Sequence, residues 1–269
     1  MSSIARSRQG WVSFFNALQD SNLNDLVWWS LDNNSIDDEA LQLLVGLVSN
    51  MSSLKNLNLS ATQSATPTGW QALTRYLRSP HFALKELDLG QNHINDDALI
   101  AFTSALAHNH TLEALNLFEC TDEDGFFSIT DSGWRAASYI LCNKTSIKDT
   151  FNSNHTFHIF SGGDNNDELK SCSDLNRNRD KVEVARQKIL QSHFSTEDDM
   201  ATNIQEFLDM ELEVMPTAIA WIGRPTPVKW RGTNVSGLSL MFNLTRKIPD
   251  LFDSNAHKKP LAAKRKRGL

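Results

Sequence analysis

The residues that could carry chemistry in this chain are a few histidines, cysteines and carboxylates at short spacing. His108-Asn109-His110 places two imidazoles two residues apart, as a nuclease or a metal centre would. That segment falls between a helical pattern and a strand pattern, however, where polar residues are needed to turn the chain. His155 and His158, followed by Asp164 and Asp167, offer four metal ligands on paper. A zinc centre needs its four ligands at defined spacing, and no cysteine supports this set. Cys120, Cys142 and Cys172 are far apart and read as buried or incidental reduced thiols. Asp122, Glu123 and Asp124 lack the alternating oxygen ligands and closing Glu of a calcium loop. No phosphate-cradling GxxxxGKS or GxxxxGKT, no GxGxxG turn and no GxSxG elbow occurs. These residues predict no catalytic centre, no metal and no cofactor, and the chain reads as non-enzymatic.

The sequence does carry a repeated element that can present a surface. Residues 84–106 read LKELDLGQNHINDDALIAFTSAL. Leu84, Leu87 and Leu89 alternate as the inward residues of a short strand. Asn92 turns the chain, its amide able to bond backbone groups leaving the ladder. Ala98, Leu99, Phe102 and Leu106 then share one helical stripe. Such a unit cannot bury both apolar faces alone, so it must stack on copies of itself. Copies start at Leu26, Leu54, Leu84 and Leu112, separated by 28, 30 and 28 residues. The helix halves repeat too, in the pairs Trp11/Leu18, Leu41/Val48, Trp70/Leu77, Leu99/Leu106 and Trp134/Leu141. Three of these open with Gly-Trp, at Gly10, Gly69 and Gly133. The spacing predicts four strand-plus-helix units, a half unit before them and a degenerate strand near 147–152.

This pattern resembles the leucine-rich repeats of the ribonuclease-inhibitor-like class, whose turns carry Asn or Cys. Asn34, Asn92 and Cys120 match that position, and Thr62 departs from it. The resemblance implies a right-handed α/β horseshoe, a leucine-rich repeat solenoid of about four to five units, with a C-terminal helical appendage. It covers roughly residues 10–160 and implies a protein-binding scaffold rather than one activity. An alternative is a small-GTPase regulator similar to the Ran GTPase-activating protein family, suggested by repeat length and the NxIxDxA run. The short array and basic tail depart from that family, and no catalytic residue carries over.

Charge divides the chain further. Residues 1–160 hold nine basic and 17 acidic residues (net −8), residues 161–256 hold 11 and 15 (net −4), and residues 257–269 hold six and none (net +6). The expected organisation is a repeat domain over 1–160, a linker and helical cap over 161–252, and a basic disordered tail over 253–269. Helical stripes are expected at Val182, Ala185, Ile189 and Leu190, at Ile204, Phe207, Leu208 and Leu212, from Pro216 onward, and over 238–248. Lys264, Arg265, Lys266 and Arg267 suit a nuclear-import signal or a solvated end. No signal peptide or membrane-spanning run is read, so the expected location is intracellular, nuclear or cytoplasmic.

In this register the strand residues facing away from the core form three rows. They are Trp28, Asn56, Glu86, Ala114; Ser30, Asn58, Asp88, Asn116; and Asp32, Ser60, Gly90, Phe118. Trp28, Ser30, Asp32, Asn56, Asn58, Glu86, Asp88, Asn116 and Phe118 are the candidate protein-binding residues. Trp28 and Phe118 would serve as anchors, although Trp28 could equally be buried under the N-terminal segment. The acidic rows predict a protein partner with a basic surface; membrane and nucleic acid are not expected partners, and a monomer is expected. Between Cys120 and Ile129 the inserted TDEDGFFS could present Phe126 and Phe127 to a partner or fold them back onto the repeats.

Overall fold

The computed structural model describes residues 8–62, 65–122, 124–160, 167–193, 228–230 and 233–235. The chain divides into two compact units, Met1–Lys188 and Ile189–Leu269. Within the first, helices and strands alternate: α1 (Arg8–Leu18), β1 (Trp28–Ser30), α2 (Asp38–Val48), β2 (Asn56–Asn58), α3 (Pro67–Leu77), β3 (Glu86–Asp88), α4 (Asp96–Leu106), β4 (Ala114–Asn116) and α5 (Asp131–Leu141). They are followed by α6 (Ile147–Phe151), β5 (His158–Phe160) and α7 (Asp167–Asn176), while α8 (Lys181–His193) runs past the unit boundary. All five strands form one open parallel sheet in chain order.

The rows read from the sequence pair as expected. Trp28, Asn56, Glu86, Ala114 and His158 are successive register partners, as are Ser30, Asn58, Asp88, Asn116 and Phe160. Between them Leu57, Leu87, Leu115 and Ile159 are buried against the helices, together with Leu41, Leu73, Leu99 and Leu141 from the helix stripes. Each such leucine contributes roughly 1.5–3 kcal/mol, so this shared layer holds the strands to the helices. At the first edge, Phe15 of α1 is fully buried, stacking on Trp11 and meeting Trp29 edge to face, as expected of a helix that covers the end of a repeat stack.

Buried polar side chains fix where each strand ends. The amide of Asn92 donates to the carbonyls of Leu59, Leu89 and Gly90, joining its own unit to the one before. Thr62, which departs from the Asn/Cys pattern, does the corresponding work: its N–H and hydroxyl both donate to Asn92 Oδ1, at 3.0 and 2.8 Å. The residue just before each turn residue is left-handed, with φ of 57° at Asn33, 52° at Ala61, 56° at Gln91 and 53° at Glu119. Four non-glycine residues in that region show a bend imposed by the repeat rather than by local preference.

The Gly-Trp helices have a specific cause. Asp38 of α2 accepts from the N–H and hydroxyl of Thr66, the N-cap of α3, and Asp96 of α4 does the same for Thr130, the N-cap of α5. A Cβ on Gly69 or Gly133 would sit 2.5 Å from those same carboxylates. Glycine in one helix therefore makes room for aspartate from its neighbour, and the two helix types alternate.

Two readings are corrected. Residues 147–152 were expected as a strand, but Ser146 caps a short helix there, accepting from Asp149 N at 3.0 Å, and the fifth strand is 158–160. In α8, Val184 and Ala185 are buried while Val182 is exposed. Within the region 161–252 read as a linker and helical cap, α7 and α8 are helices, and Val228–Trp230 (β6) and Thr233–Val235 (β7) form an antiparallel pair. The other helical stretches expected from 204 onward lie outside the described residues, as does the basic tail with Lys264, Arg265, Lys266 and Arg267.

Candidate functional site

The strand residues pointing away from the helices line a groove of about 710 Å3 in the first unit. Its floor and ends are made by Trp28, Asn56, Asn58, Glu86, Asp88, Ala114, Asn116 and Phe118. The sheet brings seven of the nine sequence-predicted residues to this one cavity. Ser30 and Asp32, also predicted, are not among its lining residues. Trp28 is 60% exposed and Phe118 48%, so neither ring is covered. Exposed aromatics at both ends of a polar floor are suited to anchoring a partner chain.

The polar floor is tied together by its own hydrogen bonds. Asn56 donates to Glu86 Oε2 at 2.6 Å, and Asn116 donates to Asp88 Oδ1 at 3.0 Å. Asn58, Asp88 and Asn116 each accept from the backbone N–H two residues on, at Ser60, Gly90 and Phe118. These three side chains thus close the strand ends as well as facing the groove. Glu86 is exposed and closes no strand end, which leaves its charge directed to the groove. Ser30 donates to Asp32, and that bond, with a second from Asn33, holds the Asp32 carboxyl below its usual range.

One wall was not foreseen. Leu169, Lys170, Ser173 and Asp174 of α7, with Arg177 just beyond it, line the groove opposite Trp28. The helix is held by Ser173, whose hydroxyl accepts the Ile159 N–H at 2.9 Å, and by Asn176, which donates to the carbonyls of Asn154 and Phe157. An edge strand would otherwise leave its backbone groups open to another chain, and α7 covers them. Lys170 and Arg177 set positive charge beside an acidic floor, although Arg177 also pairs with Asp174 at 3.3 Å.

A sequence signal for this region exists. Asn109-His110-Thr111-Leu112 precedes β4, and Asn154-His155-Thr156-Phe157 precedes β5. Asn109 donates to Leu77 O and accepts from Thr111 and Leu112; Asn154 donates to Leu106 O and Asn109 O and accepts from Thr156 and Phe157. The copies are 45 residues apart rather than 28 to 30, because α6 is inserted between them, and a search at fixed period passes over them.

The residues weighed as chemical groups are placed as structure. All three cysteines are buried and free, and burial raises Cys120 to about 11. Cys172 is raised by its hydrogen bond with Cys142 and by burial. His155 sends Nε2 to Phe151 O at 2.9 Å and turns Nδ1 to the Lys188 ammonium at 3.4 Å, a setting hostile to a bound cation. Among the described residues no group of three or more His, Cys, Asp or Glu could hold a metal ion. Nor is any helix among them long and apolar enough to cross a membrane. No model of a known protein family matches the chain, and no curated protein matches it.

Proposed function

We propose that the chain is a leucine-rich repeat scaffold, built as a horseshoe, that binds a protein partner on its open sheet face and performs no chemistry of its own. The observation that carries this reading is the groove, with an acidic floor, an exposed aromatic near each end and a wall of α7. A preformed surface on paired strands loses little ordering entropy on binding. Glu86 and Asp88 favour a basic segment, and the association should weaken as salt screens the charges.

Affinity capture from native extract, comparing the full chain with a Trp28→Ala, Glu86→Lys variant, tests the proposal. Both residues are exposed, so the variant is expected to keep the wild-type melting temperature. Loss of one specific protein from the variant's captured set supports the sheet face as the binding surface. An unchanged set contradicts it. Asp88 is the poorer choice for substitution, since removing it also frees Gly90 N and Asn116 Nδ2.

A further inference from the structure

The insertion between Cys120 and Ile129 does not fold its phenylalanines back. Phe126 is 72% exposed and Phe127 68%, each more than Trp28 in the groove. The segment that carries them is nevertheless well fixed. Thr121 and Phe127 bridge as an antiparallel pair, and Asp122 N donates to Phe126 O at 2.8 Å. Asp122 Oδ1 accepts from Asp124 N at 3.0 Å and from Phe126 N at 2.9 Å. Gly125 turns the tip at a φ of 83°. The base is bolted to the preceding unit by His93 Nδ1 against Thr121 O at 2.8 Å and by Ser128 Oγ donating to Ile94 O at 2.5 Å. Cys120 and Ile129, which flank the insertion, are buried, so the projection does not come from a loose strand end.

We propose that this 121–127 hairpin is a second docking element, separate from the groove, whose Phe126 and Phe127 enter an apolar cleft ringed by Lys or Arg on a partner protein. Two exposed rings at consecutive positions of a hydrogen-bonded turn are apolar surface that an isolated chain has no reason to keep. Rigid aromatic anchors cost little entropy to immobilise. The partner's rim is specified by charge. Glu119, Asp122, Glu123 and Asp124 make the surrounding sequence acidic, and no Lys or Arg occurs between Lys85 and Arg135. The same carboxylates disfavour a lipid surface, where they would be drawn toward the headgroups along with the rings.

The test starts from the full chain carrying the photo-crosslinker p-benzoylphenylalanine in place of Phe127, irradiated in its native cells. The crosslinked protein is then purified and its affinity measured for the wild-type chain, Phe126→Ser with Phe127→Ser, and Gly125→Val. The expected crosslink maps to an apolar cleft bordered by Lys or Arg. The double serine variant should bind about 30-fold more weakly or worse, with an unchanged melting temperature because both rings are exposed. Gly125→Val keeps both rings but strains the turn, and should weaken binding several-fold. The proposal is overturned by the absence of any protein crosslink, by wild-type affinity in the double serine variant, or by ring-dependent sedimentation with phosphatidylcholine vesicles.

Discussion

The repeated units over 8–141 and the segment that follows them over 142–188 meet the same physical demands with different residues. The entries to β4 and β5 are each pinned to the helix two units back along the stack. In the repeats Asn109 does this for α3 through Leu77 O, and in the closing segment Asn154 does it for α4 through Leu106 O. At the end of α5 the carbonyl of Leu141 is met by another kind of side chain. The buried ammonium of Lys188 instead donates to Leu141 O and, at 3.1 Å, to Asn154 O, although burial lowers it to about 8. A repeat satisfies its carbonyls from within its own spacing. The closing segment must reach back with whatever side chain is long enough, and it accepts the cost of desolvating a charge.

If the two regions are one stack, equivalent asparagines should matter equally. Asn109→Ala and Asn154→Ala each leave several buried backbone groups without partners, and each should lower unfolding free energy by roughly 2–4 kcal/mol. Chemical denaturation of the two variants checks this. A near-neutral Asn154→Ala beside a costly Asn109→Ala would separate the closing segment from the repeats.

A smaller effect distinguishes the regions by pH. His155 is held neutral by burial and by Lys188, with its pKa pushed down to about 4, and His158 is lowered by burial and Arg177. Below about pH 6.5 the unfolded chain takes up protons that the folded His155 refuses. Stability should therefore fall as pH drops from 6.5 to 4, by up to ~3 kcal/mol from this residue. His155→Gln should flatten that slope without abolishing it, because His158 still contributes. An unchanged slope, measured by denaturation at several pH values, would place the acid sensitivity elsewhere.

The same contrast explains what the sequence made legible. Strand register and the groove floor followed from Leu57, Leu87 and Leu115 because each recurs at a spacing set by one unit of backbone. The alternation of Gly69 and Gly133 with Asp38 and Asp96 was visible as Gly-Trp pairs, but its cause lay in contacts between neighbouring helices. The α7 wall was not legible, because Leu169, Lys170 and Ser173 reach the groove only through an insertion that breaks the period. The exposure of Phe126 and Phe127 depended on hydrogen bonds of Asp122 that spacing alone does not reveal.

Both binding proposals rest on strands and insertions held in one stack, and the groove exists as described only if 147–188 continues that stack. Native-state hydrogen exchange of the full chain tests this directly, reading the amide of Ile159, which bonds Ser173, against that of Leu89, which bonds Asn116 O. The two should open with similar free energy, as members of one cooperative unit. Exchange at Ile159 through a much cheaper local opening, with Leu89 still protected, would show that α7 is a detachable element and that the groove has no fixed wall.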